Sequence, residues 1–376
     1  MLEREIFNPR QLTSARVARG ITIKDLAEKS DVSRQAVSGY ESGKATPKID
    51  TMLRIAASLE FPLDYFYEES TMLPQSTTYF RKRTAATSTA RKMQEERLVF
   101  AVKVYQKLTN YVNIPDVILP ESLNLDVHEI SDELIDEKAM ELRKVWQLDS
   151  ISPIDNIISL AEKNGIIVVE ANMSNDKLDA VSRWYKDRPF VMLTDNSESA
   201  VRRRFNVAHE LGHIILHSGI ESYDHDNIET KEIERQAHLF ASKFLMPDKA
   251  FMTSLLSTSL DYYVELKSYW KVSIQAMVSK TYYLKLINED RRLYLNKQIS
   301  FKKWRKREPL DDVLKIERPS LNKKVFQMII NNNVKTKREL ISEFNLPLDE
   351  LSKIIGIEFD SKKKESLDTT PRLRLI

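Results

Sequence analysis

Three residues in the stretch AHELGH have the types and spacing of a metal-dependent hydrolase. His209 and His213 are four residues apart, which places both imidazoles on one face of an α-helix, one turn apart. Glu210 lies beside them, turned to face a metal-bound water instead of the metal. Zinc lowers the pKa of a bound water to about 7. A neighbouring carboxylate can accept its proton during attack on a peptide carbonyl and later pass it to the leaving amine.

A catalytic zinc site normally has three protein ligands and one open position, so a third ligand is required. A histidine ten residues after His209 would complete a metzincin-like set, but that position is Gly219. The next predicted helix offers Glu234 and, one turn further, His238. We prefer Glu234, because two histidines and one glutamate suit zinc hydrolases, and we keep His238 as the alternative. Weaker candidates are Asp226 and Glu232.

The composition supports a metal site of this kind. The chain has no cysteine, so a metal must be held by His, Asp or Glu. Five of the six histidines fall between positions 209 and 238, and among them His217 is interpreted as a second-sphere or surface residue. We therefore predict Zn²⁺, although two histidines and one carboxylate can also bind Mn²⁺ or Fe²⁺.

Secondary-structure patterns place this motif on a helix that follows short strands. We predict strands at IIVVE, AVSRWY and FVML, the last two joined by the turn KDRP. A long helix then runs from about Glu198 to His217, and a second from about Glu229 to Leu245, stopped by Pro247. Beyond it the chain is helix-like, with breaks at three prolines. In that region WKVSIQAMVSKTYYLKL is interpreted as a helix beside the cleft and KKWRKR as a surface stretch.

The strings RRRFNVAHELGHIILH and ERQAHLFASKFLMP, preceded by the strand FVMLTDN, resemble the ImmA/IrrE metallopeptidase family. The resemblance is strongest over roughly residues 140–250. It implies His209, His213 and Glu234 as metal ligands and Glu210 as general base. His238 departs from the family pattern, in which Asn is common there, so it could alter the site or add a ligand.

At the other end of the chain, residues 8–67 predict a compact set of short helices. Asn8, Thr22 and Ser33 are placed to cap the first three, and Asp31 lies in a tight turn between the second and third. From Glu68 to about residue 94 the periodicity fades and Ser, Thr and basic residues dominate. We interpret that segment as an exposed connector, with a phosphate-binding arm as the alternative.

The third of these helices has the residue types of a DNA reader. Ser33, Arg34, Gln35 and Ser38 would point outward at its start, and Lys44 follows it. Arg suits guanine and Gln suits adenine, each worth about 1–3 kcal/mol of discrimination, while Ser33 and Lys44 suit phosphates. Composition alone leaves open a helical interaction module without base contacts. However, ITIKDLAEKSDVSRQAVSGYESGKATP closely resembles the Xre/lambda-repressor-like helix-turn-helix family, which implies double-stranded operator DNA as a partner.

The whole chain predicts a mainly α protein with a small β-sheet. We divide it into a helix-turn-helix domain (1–70), a connector with an amphipathic helix (71–139), a zincin-like metallopeptidase domain (140–257) and a helical C-terminal region (258–376). The net charge is only +3, so any basic surface must be local. We find no signal-peptide core and no stretch long enough to span a bilayer, so we expect a cytoplasmic protein without a membrane partner. The sequence leaves open whether the chain forms a homodimer.

Two functions from different classes follow from these patterns. The first is a zinc endopeptidase fused to an operator-binding domain, for which the family resemblance implies cleavage of a partner repressor or antitoxin. The second is a transcriptional regulator whose metal domain is a sensor or scaffold without proteolysis. Glu210 favours the first, because a scaffold does not need a general base.

Overall fold

The structure is a computed structural model that describes residues 6–71, 79–80, 88–171, 180–194, 198–219 and 228–359. Within these residues the chain is mostly helical with one small sheet, which confirms the predicted fold class. The helices are α1 (Pro9–Ala18), α2 (Ile23–Lys29), α3 (Arg34–Glu41), α4 (Ile49–Leu59), α5 (Ser88–Thr109), α6 (Asp132–Val145), α7 (Ile157–Lys163), α8 (Ala200–Leu216), α9 (Ile228–Leu245), α10 (Asp248–Ser254), α11 (Leu260–Trp270), α12 (Ile274–Tyr283), α13 (Glu289–Phe301), α14 (Leu321–Asn331), α15 (Lys337–Phe344) and α16 (Leu348–Ile355). The strands are β1 (Tyr79–Phe80), β2 (Ile167–Ala171), β3 (Ala180–Tyr185) and β4 (Arg188–Thr194). No helix in this described part of the chain is long and apolar enough to cross a membrane.

The N-terminal helices begin where the sequence predicted caps. The side chains of Asn8, Thr22 and Ser33 each accept a hydrogen bond from a backbone N–H in the first turn of α1, α2 and α3. These bonds satisfy donors that have no partner inside the helix. Between α2 and α3 the backbone of Asp31 is left-handed, with φ of 52°. The caps and this turn set the angle between the two helices.

The sheet has the order β1-β3-β4-β2, and its strands β2 and β4 are buried on both faces. β2 and β4 are parallel, while β3 and β4 form an antiparallel hairpin. Val169 and Met192 belong to the core on one face, and Val168 and Leu193 to the core on the other. This burial explains why both strands read as continuous apolar runs.

The hairpin turn is shorter than the predicted KDRP. β4 begins at Arg188, so only Lys186 and Asp187 form the turn, and Lys186 has φ of 53°. Arg188 is held in the strand because its Nη1 donates to the carbonyl oxygens of Pro115, at 2.5 Å, and Gly165, at 2.8 Å. The proline of the predicted turn therefore lies inside β4.

The predicted exposed connector is wrong at its C-terminal end. α5 begins at Ser88, and the side chain of Gln94 within it is fully buried. Met93 packs so closely on α1 that a Cβ at Gly20 would lie 2.6 Å from its sulfur. The Ser/Thr-rich composition hid this helix, whose burial comes from a partner distant in sequence. Residues 72–78 and 81–87 of the connector lie outside the described residues, while the backbone of Tyr79–Phe80 pairs with β3.

The N-terminal helices share a core with the C-terminal helices α14–α16, joined through α5 and one face of the sheet. Buried charges cross this contact. Arg97 on α5 donates from Nε to the Glu350 carboxylate on α16, at 3.0 and 3.1 Å, and both side chains are less than a tenth exposed. Arg19 at the end of α1 donates to Asp349, at 2.7 Å. Ion pairs therefore join α1 and α5 to α16.

Replacing Arg97 with Leu should destabilise this contact strongly. The variant leaves the Glu350 carboxylate buried without its main partner, which typically costs about 3–5 kcal/mol. The double variant Arg97→Leu/Glu350→Leu should recover most of the loss, because no buried charge remains. Urea unfolding measures both, with Lys24→Ala at an exposed ion pair as the control that changes stability little. A double variant as unstable as the single one would contradict this view of the pair.

Candidate metal centre and DNA-binding surface

Helix α8 carries the AHELGH motif through the middle of the protein. His209, Glu210 and His213 are all fully buried, and the Nε2 atoms of the two histidines are 3.1 Å apart. The predicted helix, Glu198 to His217, agrees with the observed one to within two residues at each end. The spacing of four has therefore brought both imidazoles to one point, as predicted.

Two buried arginines hold the N-terminal half of α8 in place. Arg203 forms ion pairs with Glu170 on β2 and, at 3.2 Å, with Glu198. Arg204 forms an ion pair with Glu317, and its Nη2 donates to a backbone carbonyl oxygen at 2.5 Å. Paired in this way, the guanidinium groups keep their charge inside the protein and fix the direction of the helix.

The second helix of the site, α9, approaches α8 at Gly212. A Cβ at Gly212 would lie 3.1 Å from the Cα and 3.2 Å from the carbonyl oxygen of Ala237. Because hydrogen replaces that Cβ, the two backbones can lie this close. The close approach brings the Glu234 carboxylate to 3.4 Å from His209 Nε2 and 3.5 Å from His213 Nε2.

His209, His213 and Glu234 could hold a metal ion, because their ligand atoms all lie within 4.8 Å of one another. His238 is not in this group. Its ring stands beside that of His209, with centroids 5.1 Å apart. Glu232 is engaged by Arg235, at 2.7 Å, and Asp226 lies outside the described residues.

The electrostatics of the three residues fit a divalent cation. Burial acts to raise the pKa of Glu234, but the contacts of its carboxylate with His209 and His213 outweigh burial and hold that pKa well below its usual value. The carboxylate is therefore ionised next to two imidazole nitrogens. Two imidazoles and one carboxylate form a donor set that zinc accepts in hydrolases.

A chain of hydrogen bonds behind His213 determines which of its nitrogens carries the proton. Gln236 donates its amide N–H to the carbonyl oxygens of Val127, at 2.7 Å, and Ile130, at 3.3 Å. Its own carbonyl oxygen, 2.9 Å from His217 Nε2, must then accept a hydrogen bond from that nitrogen.

The hydrogen-bond chain continues through His217 to His213. Burial, followed by the field of His213, lowers the pKa of His217 to about 3, so its ring is neutral at physiological pH. With its proton on Nε2, the ring accepts at Nδ1 from His213 Nδ1–H, 3.1 Å away. His213 Nε2 is then left with a lone pair, directed at the candidate metal position.

Glu210 is held by a residue that the sequence analysis did not identify. The hydroxyl of Ser182 on β3 donates to Glu210 Oε2 at 2.6 Å, and both side chains are fully buried. Ser182 is a polar residue in the middle of a predicted buried strand, and this pattern could have indicated from the sequence that its hydroxyl has a buried partner. The sequence did not indicate a role for Gln236, because glutamine is common in helices.

The DNA-reading residues predicted from sequence lie at the cap of α3, within α3 and just after it. Ser33, Arg34, Gln35, Ser38 and Lys44 are all exposed, whereas Val37 is buried. Ser33 also caps α3, with its Oγ 3.1 Å from the Ala36 nitrogen.

The end of α3 is fixed to α1. Arg16 forms a two-pronged ion pair with Glu41, at 2.6 and 2.9 Å. Among the described residues, neither Arg34 nor Lys44 has a carboxylate within ion-pair distance. Helix α3 is thus fixed to α1 by an ion pair, and Arg34 and Lys44 carry positive charge that no carboxylate of the described residues neutralises. Phosphate binding requires such charge.

We predict that the hydrogen-bond chain behind His213 is needed for tight metal binding. Gln236→Leu or His217→Phe should weaken zinc binding about 10–100-fold, because the His213 proton is no longer fixed on Nδ1. Competition with a chelator measures the affinity. Long-range proton–nitrogen NMR of the metal-free protein reports the tautomer of His213. Glu232→Gln, which alters another neighbour of Gln236, is the matched control. Folded variants with wild-type affinity and an unchanged tautomer would contradict the prediction.

Two segments of the chain match known family models. Residues 12–66 match the family model for a helix-turn-helix, and residues 161–282 match the one for the IrrE N-terminal-like domain. No curated protein matches the chain. The first match indicates DNA binding and transcription regulation, and the second a metallopeptidase domain. The chain thus joins a helix-turn-helix domain to an IrrE-like metallopeptidase domain, in that order.

Proposed function

We propose that this protein is a zinc-dependent endopeptidase that a DNA-binding domain directs to its substrate, a partner repressor or antitoxin. One observation carries the proposal. Two imidazoles and a carboxylate converge within 4.8 Å, and Glu210 lies next to His209 in the sequence with a hydroxyl fixing its carboxylate. A site that only senses or stores a metal needs the three ligands but not that glutamate.

In this proposal each residue has a separate role. His209, His213 and Glu234 hold the zinc ion, which supplies the Lewis acidity that makes water a nucleophile near neutral pH. Glu210 takes a proton from that water and later delivers it to the leaving amine. Ser182 donates to Oε2 of Glu210 and so fixes the orientation of this carboxylate.

The DNA-binding domain gives the peptidase its location. Tethering a catalytic domain to operator DNA raises its local concentration near proteins bound to the same site. A repressor is such a protein, which is why we infer a repressor or antitoxin as substrate. The proposed setting is the cytoplasm, where operator and substrate are both accessible.

The peptidase proposal predicts different outcomes for two variants. Glu210→Gln keeps all three candidate ligands, so it should retain zinc and lose cleavage by about 10²–10⁴-fold. His209→Ala removes a ligand and should lose zinc itself. Both are incubated with the repressor-like proteins encoded beside this gene, and products are identified by mass spectrometry. Glu232→Gln, a matched change on the same helix outside the ligand set, should behave as wild type.

Two results would contradict this assignment. Equal zinc content in wild type and His209→Ala would remove His209 from the ligands. Zinc-loaded wild type that cuts none of these proteins, while operator binding persists, would favour the regulator without proteolysis.

For the DNA-binding surface we predict that Lys44 contacts a phosphate. Lys44→Gln should reduce the steepness of the log K against log salt plot by about 0.9, because one fewer counterion is released. The probe is a duplex selected by the protein from a random-sequence pool. Lys297→Gln, an exposed change on α13, should leave the slope as it is. An unchanged slope for Lys44→Gln would exclude this contact.

A further inference from the structure

A cavity of about 610 Å³ lies beside the candidate metal centre. It is bordered by the N-terminal half of α8, by α9, by α12 and by the segment 304–311. His238 is part of its lining and stands against His209, with ring centroids 5.1 Å apart. A peptide bound at the metal centre would therefore have a neighbouring side chain next to this space.

The acidic groups of the cavity wall are already engaged by interior cations. Glu198 pairs with Arg203 at 3.2 Å. Lys267 bridges Glu308, at 2.9 Å, and Asp311, at 2.6 Å. Glu308 also accepts two backbone N–H groups at the start of α12. These cations offset most but not all of the negative charge of the wall, because the single charge of Lys267 faces two carboxylates.

The cations at the rim of the cavity are less fully paired with carboxylates than the acidic groups of its wall are with cations. Lys280 pairs with Asp248 at 2.6 Å, whereas Arg305 and Lys306 have no carboxylate within ion-pair distance among the described residues. Arg305 donates only to a neutral group, the hydroxyl of Ser300, at 2.6 Å. The charges of Arg305 and Lys306 exceed the negative charge that remains on the wall. The cavity therefore has a net positive charge, which a carboxylate would balance.

The remaining walls suit a side chain with an apolar stem and a polar end. Phe205, Tyr283 and Trp304 provide aromatic surface, while Gln275 and Ser279 provide hydrogen-bonding groups. The expectation that KKWRKR is a surface stretch is right for its exposed cations. It is wrong for Trp304, which is half-buried and packs against the core below the metal site.

We propose that this cavity is a specificity pocket that takes an acidic side chain, Asp or Glu, next to the peptide bond to be cleaved. The inference deepens the proposed function, because it assigns a substrate class to the same site. Arg305 and Lys306 attract the carboxylate, and the aromatic walls contact its stem.

The test measures binding rather than cleavage, so it does not depend on peptidase activity. Zinc-loaded Glu210→Gln protein is labelled with fluorotryptophan, and Trp304→Phe identifies the Trp304 signal among the four tryptophans. End-blocked acetyl-Ala-Ala-Glu-Ala-Ala-amide is titrated at low salt, and the same peptide with Gln in place of Glu is its uncharged control. We expect the Glu peptide to shift the Trp304 signal and to bind about five- to tenfold more tightly.

A charge-matched pair of variants completes the experiment. Arg305→Gln/Lys306→Gln should abolish the preference for Glu over Gln. Lys297→Gln/Lys315→Gln removes the same charge from exposed positions outside the cavity and should keep it. The proposal would be overturned if the Trp304 signal did not shift or if the two peptides bound equally well. It would also be overturned if both double variants lost the preference for Glu to the same extent. Cleavage by the wild type without this preference would refute the pocket alone. Acid-selective binding without any cleavage would refute the peptidase proposal alone.

Discussion

The close approach of α8 and α9 at Gly212 is the constraint on which the candidate metal centre depends. A methyl group at that position would meet the Ala237 backbone at 3.1 Å, closer than a Cβ normally packs. Two ligands come from one helix and the third from the other, so their separation is set by the distance between the helix axes. A side chain at this contact would push Glu234 away from both histidines, although no ligand itself had changed.

Around this contact the protein buries several polar side chains that hold one another in place. Ser182 meets Glu210, Gln236 meets His217, and Arg204 meets Glu317. A buried polar group without a partner is costly, so such networks specify one arrangement of side chains. Here the specified features are the proton position on His213 and the orientation of Glu210. Ser182 and Gln236, which supply these hydrogen bonds, are not themselves candidate metal ligands.

The second organising feature is the core shared by the N-terminal and C-terminal helices. Arg97 and Arg19 connect α5 and α1 to two neighbouring carboxylates at the start of α16, and the same core continues onto β2. β2 in turn carries Glu170, which pairs with Arg203 on the motif-bearing helix. A continuous set of packed and charge-paired contacts therefore runs from the DNA-binding helices to α8. The residues of α3 that we predict to contact DNA remain exposed, so the contact between the N-terminal and C-terminal helices does not cover them.

Local sequence information was enough to predict most helices and strands and the residue types that could bind a metal. The caps at Asn8, Thr22 and Ser33, the spacing of His209 and His213, and the apolar strands depend on neighbours within a few residues, and all were predicted. The buried start of α5, the engagement of Ser182 and Gln236, and the cavity beside His238 depend on partners roughly thirty to a hundred residues away. Sequence spacing determined which side chains could chelate a metal, because helix geometry is local. Only the tertiary structure decided that Glu234 rather than His238 joins the two histidines, because that choice rests on how closely two helices pack.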